Sequence, residues 1–214
     1  MNERSFTGCD MSQPRPVTAF DQRTSEILEG ASVAFSSKGF DGASMQDLAR
    51  SAGMSVGNFY RYFPSKAAIV AALIERSLVE LEQDFAALLE EDDLMGALRR
   101  KIADRIDEAR CQGEGQLWAE INAASLRKPE IAQLSCRMED EIVSHMVRVF
   151  ARATQISPDE AHGRWSSHAR MIVMMVKSCA MRPPVRPAAA DLHRLVRRTL
   201  NLFLKYLFLP AVKG

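Results

Sequence analysis

Gly53, Ser55 and Gly57 stand at the G-x-S-x-G spacing that presents a serine nucleophile in many hydrolases. Directly after them, Asn58-Phe59-Tyr60-Arg61-Tyr62-Phe63 sets aromatic rings around a cation, a mixture suited to nucleic acid. The two chemistries need different surroundings. A nucleophile elbow needs a strand before the serine and a helix after it, so that Oγ stands exposed on a strained turn. A helix-turn-helix needs two short helices and a glycine at the bend.

The elements around Ser55 decide between them. The preceding segment, "SMQDLARSA", starts with Ser44 and carries Asp47 three residues later, a capping-box spacing. Met45, Leu48, Ala49 and Ala52 then follow at helical steps, and Gly53 ends the run. Ser55 is a second N-cap, opening a helix of about two turns over 56–62. Phe59 and Phe63, four apart, face inward together, and Pro64 stops the helix. This is helix, glycine turn, short helix. No strand precedes Ser55, and no acid–histidine pair is singled out to serve it. In the second helix Val56, Gly57 and Asn58 lie nearest the bases, with Arg61 one turn on. Small side chains at its start let it approach closely, and its free N–H groups favour phosphate. Tyr60, Tyr62 and Lys66 supply donors and charge to the backbone on either side.

The same helical reading extends along the chain. A helix over about 20–37 places Ile27, Leu28, Ala31, Ala34 and Phe35 on one face, with Gly39 suited to a left-handed cap. After Ser65-Lys66 a long fourth helix runs to about 90, and further helices cover roughly 94–110, 115–127, 130–154, 158–181 and 189–209. Gly113-Glu114-Gly115, Lys128-Pro129, Ser157-Pro158 and the proline-rich 182–187 punctuate them. No period-2 run bounded by turns stands out. The expected fold is all-α with about nine helices: a flexible tail over 1–18, a helix-turn-helix domain over 19–66 and a larger helical domain over 67–214, which the family resemblance given below implies to be the effector-binding and dimerisation domain.

Composition limits the function classes without choosing one. The 214 residues carry 28 Lys and Arg against 27 Asp and Glu, so any nucleic-acid footprint must be local. Cys9, Cys111, Cys136 and Cys179 form no C-x-x-C pair and read as reduced thiols. The N-terminus lacks a signal-peptide core, and no apolar run is long enough to span a bilayer. A cytoplasmic protein is expected. His145, His162, His168 and His193 do not pair at three or four residues, so no helical metal site is expected, and no glycine cluster completes a phosphate or dinucleotide loop. No cofactor is implied.

The stretch 23–73, "RTSEILEGASVAFSSKGFDGASMQDLARSAGMSVGNFYRYFPSKAAIVAAL", resembles the DNA-binding domain of the TetR family of transcriptional regulators. Arg23, Ile27, Leu28, Ala31, Phe35, Gly39 and Phe40 match its first helix, and Ser44, Met45, Leu48, Ala49, Ala52 and Gly53 its second helix and turn. Val56, Gly57, Phe59, Tyr60, Tyr62, Phe63 and Lys66 match its recognition helix and the start of the fourth. Gly30 and Ala34 depart from the usual alanine and leucine, which would loosen the first helix's packing. The resemblance implies a homodimer on a two-fold double-stranded operator. Ser44, Tyr60, Tyr62 and Lys66 would then contact phosphates. It also implies an effector pocket whose occupancy repositions the fourth helix, with repression as the default.

The C-terminal half is less specific. "LNLFLKYLFL" (200–209) is apolar nearly all round and too short to cross a membrane. Three readings compete: a buried core helix, a membrane-surface helix aided by Arg194, Arg197 and Arg198, and, preferred, a helix packed on its twin in a second subunit. Ile172, Met175, Val176, Leu195, Phe203 and Tyr206 are the expected dimer seam. Trp118, Asn122, Trp165, His168, Met171 and Met174 are the candidate effector pocket, apolar enough for a small lipophilic ligand. Met and Trp at helical spacing also serve as plain core. The competing function is an enzyme acting on an apolar substrate in that cavity, and it lacks a nucleophile–base pair.

Overall fold

The computed structural model describes residues 19–111, 114–181 and 187–208; the expected tail over 1–18, Cys9, Gly113 and Pro183-Pro184 lie outside them. Nine helices and no strand are found among the described residues. They are α1 (Ala19–Gly42), α2 (Met45–Ser51), α3 (Val56–Tyr62), α4 (Lys66–Leu89), α5 (Leu94–Cys111), α6 (Glu114–Ser125), α7 (Pro129–Thr154), α8 (Pro158–Ala180) and α9 (Pro187–Tyr206).

Local chemistry sets most of the helix starts. Ser44, Ser55, Ser65 and Ser157 each hold extended backbone and accept an N–H from three residues ahead, the arrangement that satisfies an orphan amide. At Ser44 the Asp47 carboxylate returns the favour, completing the capping box. Pro129 and Pro158 occupy first-turn positions, where a missing N–H costs nothing.

Two glycines behave differently from expectation. Gly39 breaks α1, but at φ 75° and ψ 163° it is extended rather than a left-handed helical cap. That region is essentially open to glycine alone. Gly30 does not loosen α1. A Cβ there would lie 2.7 Å from Ala52 Cα and 2.8 Å from the Ser51 carbonyl oxygen. The missing side chain is what lets α1 sit directly on the end of α2.

Two apolar clusters form the core. The first joins α1, α2 and α3 to the first half of α4 (Ile69, Val70, Leu73, Ile74) and to Leu117, Ile121 and Ala124 of α6 and Ile131 of α7. The second gathers Phe85 and Leu88 from the far end of α4 with inward stripes of α5, α7, α8 and α9. α4 therefore runs through both, and α6 lies against α1. No helix among the described residues is long and apolar enough to cross a membrane.

Candidate nucleic-acid interface

α3 is fixed from below. Phe59 is fully buried and Phe63 nearly so, their rings 6.1 Å apart, with Leu48 and Ala49 of α2 buried in the same cluster. Gly53, at φ 65°, makes the bend between α2 and α3. The Ser55 Oγ accepts the Asn58 N–H at 3.3 Å. Ser55 is thus a cap that follows a helix, and the strand a nucleophile elbow needs is replaced by α2.

With Phe59 turned in, the other side of α3 is left to solvent. Gly57, Asn58, Tyr60 and Arg61 are exposed. Val56 and Tyr62 are half-buried and pack on the first cluster, so they border this face rather than stand on it. A Cβ added at Gly57 would meet nothing within 4 Å. Glycine costs a helix interior up to about 1 kcal/mol relative to alanine. Nothing inside the molecule asks for it here, so the slim profile at 57 faces outward.

Two expected phosphate contacts are differently engaged. The Lys66 ammonium donates to the carbonyls of Phe40 (2.7 Å), Asp41 (3.2 Å) and Ala43 (3.1 Å). An ammonium has three donors, and all three are spent inside the fold. The cause is the break at Gly39, which leaves these carbonyls without helical partners. Burial pushes the Lys66 pKa down, with Lys128 acting the same way and Asp41 against it. Ser44 is also occupied: its hydroxyl donates to Asp47 Oδ2 at 2.6 Å, and its N–H donates to the same oxygen at 3.0 Å. The Lys38 ammonium, 2.5 Å from Asp47 Oδ1, holds that carboxyl far below the usual carboxylate range, and the Ser44 bonds act in the same direction.

Arg50 escaped the sequence reading. Its side chain is 80% exposed and only loosely held, 4.0 Å from Asp47 Oδ1. The available signal was its place in the last turn of α2, the helix that crosses the backbone when a helix-turn-helix docks. The hydroxyl proton of Ser55 also has no use in its own cap, since Oγ only accepts there.

The C-terminal candidates separate into three places. Trp118 packs on the first cluster, and Asn122 is half-buried on α6. Trp165 is core of the second cluster, wedged edge-on against Phe150 and Phe208 with centroids 6.1 and 4.9 Å away. His168, stacked on Phe203, lies with Met171 and Met174 on the exposed side of α8. The six do not converge on one cavity. Of the expected seam, Ile172 is buried within the subunit, Met175, Val176 and Phe203 are half-buried against the second cluster, and Leu195 and Tyr206 are exposed. Ile172 thus trades places with Met171 and Met174. Among the described residues, five of the nine large exposed apolar ones (Met171, Met174, Leu195, Leu202 and Tyr206) lie on α8 and α9.

Comparison with known proteins agrees with this geometry. The family model described as "Bacterial regulatory proteins, tetR family" matches residues 27–73. The HTH-type transcriptional regulator UidR of Escherichia coli is 29% identical over 136 residues, 62% of this chain and 68% of that one. The HTH-type transcriptional regulator BetI of Stenotrophomonas maltophilia is 25% identical over 133 residues, 61% and 68% of the two chains. Among solved structures, Salmonella enterica GusR superposes with a TM-score of 0.71 at 22% identity, covering 89% of this chain and 97% of its own. Bacillus subtilis FadR in complex with stearoyl-CoA superposes with a TM-score of 0.64 at 16% identity, covering 84% and 96%. Residues 27–73 thus resemble the helix-turn-helix domain of the tetR family of bacterial regulatory proteins, and the chain is similar to helix-turn-helix transcriptional regulators over 62% of its length.

Proposed function

We propose that the chain works as a homodimeric repressor. Its two α3 helices enter successive major grooves of a two-fold operator, and a small lipophilic effector releases it. The observation that carries the reading is the division of α3: Phe59 and Phe63 inward, Gly57, Asn58, Tyr60 and Arg61 outward. Asn58 and Arg61 bring the donors that read base edges, and Gly57 leaves room to reach them. Tyr60, Arg50 and the Ser55 hydroxyl hold the flanking phosphates, tasks that Lys66 and Ser44 are not free to perform. Val56 and Tyr62 border the contact.

The homodimer is supported by the apolar face of α8 and α9. An uncovered stripe of Met171, Met174, Leu195, Leu202 and Tyr206 suits the same stripe on a second copy. The two recognition helices would then stand roughly one helical turn, about 34 Å, apart. For the effector, the class of ligand named with the FadR structure supports an apolar compound with an acidic end. A cleft of fitting character lies between α5 and α9, with Arg99 and Arg197 beside Ile102, Ile106, Leu200 and Leu204. It holds only about 10 Å³, so a ligand must part the helices to enter. Binding to that opened state in preference to the DNA-competent one is what a population shift requires.

The test is selection from a random-sequence duplex pool by the full-length chain. The reading expects an enriched site with two-fold symmetry and half-sites about one turn apart. Failure to enrich any sequence, or enrichment of a single unpaired half-site, would overturn it.

A further inference from the structure

α9 meets the rest of the subunit through two kinds of contact. Along its length Leu200 and Leu204 are buried, and they line the narrow cleft with Ile102 and Ile106 of α5. Apolar burial of this kind is non-directional, so it presses α9 onto the body without fixing how the helix is turned. The second kind is aromatic and lies at the helix's end. The Phe203 ring stacks on His168 of α8, with centroids 5.8 Å apart. In the turn that follows α9, Phe208 sets its ring edge-on to Trp165 of α8 at 4.9 Å and to Phe150 of α7 at 5.8 Å. Ring pairs have preferred geometries, so these contacts fix rotation as well as distance. Trp165 and His168 stand three apart on α8 and meet Phe208 and Phe203 in reverse order, which holds the two helices antiparallel in one register.

The roll of α9 matters because its outer surface is mixed. Leu195, Leu202 and Tyr206 are exposed, and so are Arg194 and Arg198. Spaced seven and four apart, the three apolar residues share one stripe, and the two arginines lie roughly 60 to 100° round the helix from it. Rolling α9 by that angle would put guanidinium groups where the apolar stripe stands. Only the roll seen here offers a second copy an apolar match. Phe208 lies two residues beyond Tyr206, so its ring is what holds the end of the stripe in place.

We infer that Phe208 is a positioning residue for the homodimer. By seating its ring against Phe150 and Trp165 it fixes the roll of α9, and with it the apolar stripe that a second copy covers. It acts through Leu202 and Tyr206 rather than by a contact of its own. The inference deepens the homodimer reading and rests on the assignment of α8 and α9 as the seam.

The test measures dimer dissociation constants of the full-length chain by analytical ultracentrifugation. The variants are Phe208→Ala, Phe208→Tyr, Tyr206→Ala and the double change Tyr206→Ala with Phe208→Ala. Phe208→Ala is expected to weaken the dimer by about tenfold, and Phe208→Tyr, which keeps the ring, to match wild type. Once Tyr206 is gone there is less stripe to misplace, so the same loss at 208 should then weaken the dimer by about threefold at most. Helix content by circular dichroism should equal that of wild type throughout. A Trp118→Phe background isolates the emission of Trp165, which should shift to the red in Phe208→Ala as water reaches the indole. An unchanged dimer in Phe208→Ala would overturn the inference, as would a weakened one in Phe208→Tyr. So would equal losses with and without Tyr206, a fall in helix content, or an unmoved Trp165 emission. A wild-type chain that stays monomeric would instead remove the homodimer assignment, and the role of Phe208 with it.

Discussion

α3 and the α8–α9 pair each leave one face uncovered, and the two faces are chemically opposite. On α3 the outward residues are small or rich in donors: Gly57, Asn58, Tyr60 and Arg61. On α8 and α9 the large exposed apolar residues are Met171, Met174, Leu195, Leu202 and Tyr206, with Arg170, Arg194 and Arg198 exposed on the same helices. A duplex groove offers phosphates and base edges, so its reader needs donors and a slim profile. A second copy of an apolar stripe offers only more apolar surface, and the gain comes from hiding both from water. Exposure alone is therefore uninformative. The kind of side chain left exposed identifies what should cover it.

The sharpest way to break this contrast is a charge in the apolar face. Met174 is already 62% exposed, so Met174→Glu should leave the subunit folded. It should yield monomers in sedimentation velocity and weaken binding to the selected duplex by about 100-fold or more, because avidity is lost. Dimers of unchanged affinity would move the subunit contact elsewhere. Next in size is Lys66→Ala, which strands three carbonyls and should lower unfolding free energy by about 2 to 3 kcal/mol in denaturant melts. The salt dependence of DNA binding should stay unchanged, whereas loss of a phosphate contact would flatten it by about one unit of slope. Arg61→Ala should cost about 1 to 3 kcal/mol on the selected duplex and little on a random one, measured by fluorescence anisotropy.

The smallest effects come from one substitution at two sites. Gly30→Ala forces a methyl group against the Ala52 backbone and should lower stability by about 1 kcal/mol or more. Gly57→Ala has open space and should raise stability by up to about 1 kcal/mol. It should nonetheless weaken DNA binding, since the added methyl group stands where a groove must close. Equal signs in thermal melts would show that glycine at 57 answers to the fold.

What was legible in the sequence is what local chemistry decides. Ser44 with Asp47, Ser55 before α3, and Phe59 with Phe63 are all settled within four residues of chain, so spacing alone reveals them. Gly30 was misread because its partner, Ala52, lies on another helix, and no periodicity within α1 registers that approach. Lys66 reads as a free cation until the break at Gly39 is known to leave carbonyls beside it. In α8 the run Met171-Ile172-Val173-Met174-Met175-Val176 is apolar at every position, so the pattern carries no phase. The rest of the helix packs through Ala161, Trp165 and Ala169, and that spacing turns Ile172 inward and leaves Met171 and Met174 outside.

The central claim is that the outer face of α3 touches DNA. Placing a photoreactive benzophenone side chain at Asn58, and separately at Leu126 as a control, and irradiating with the selected duplex tests it directly. The account predicts a protein–DNA cross-link from position 58 and none from 126. Cross-linking from 126 while 58 stays silent would contradict it.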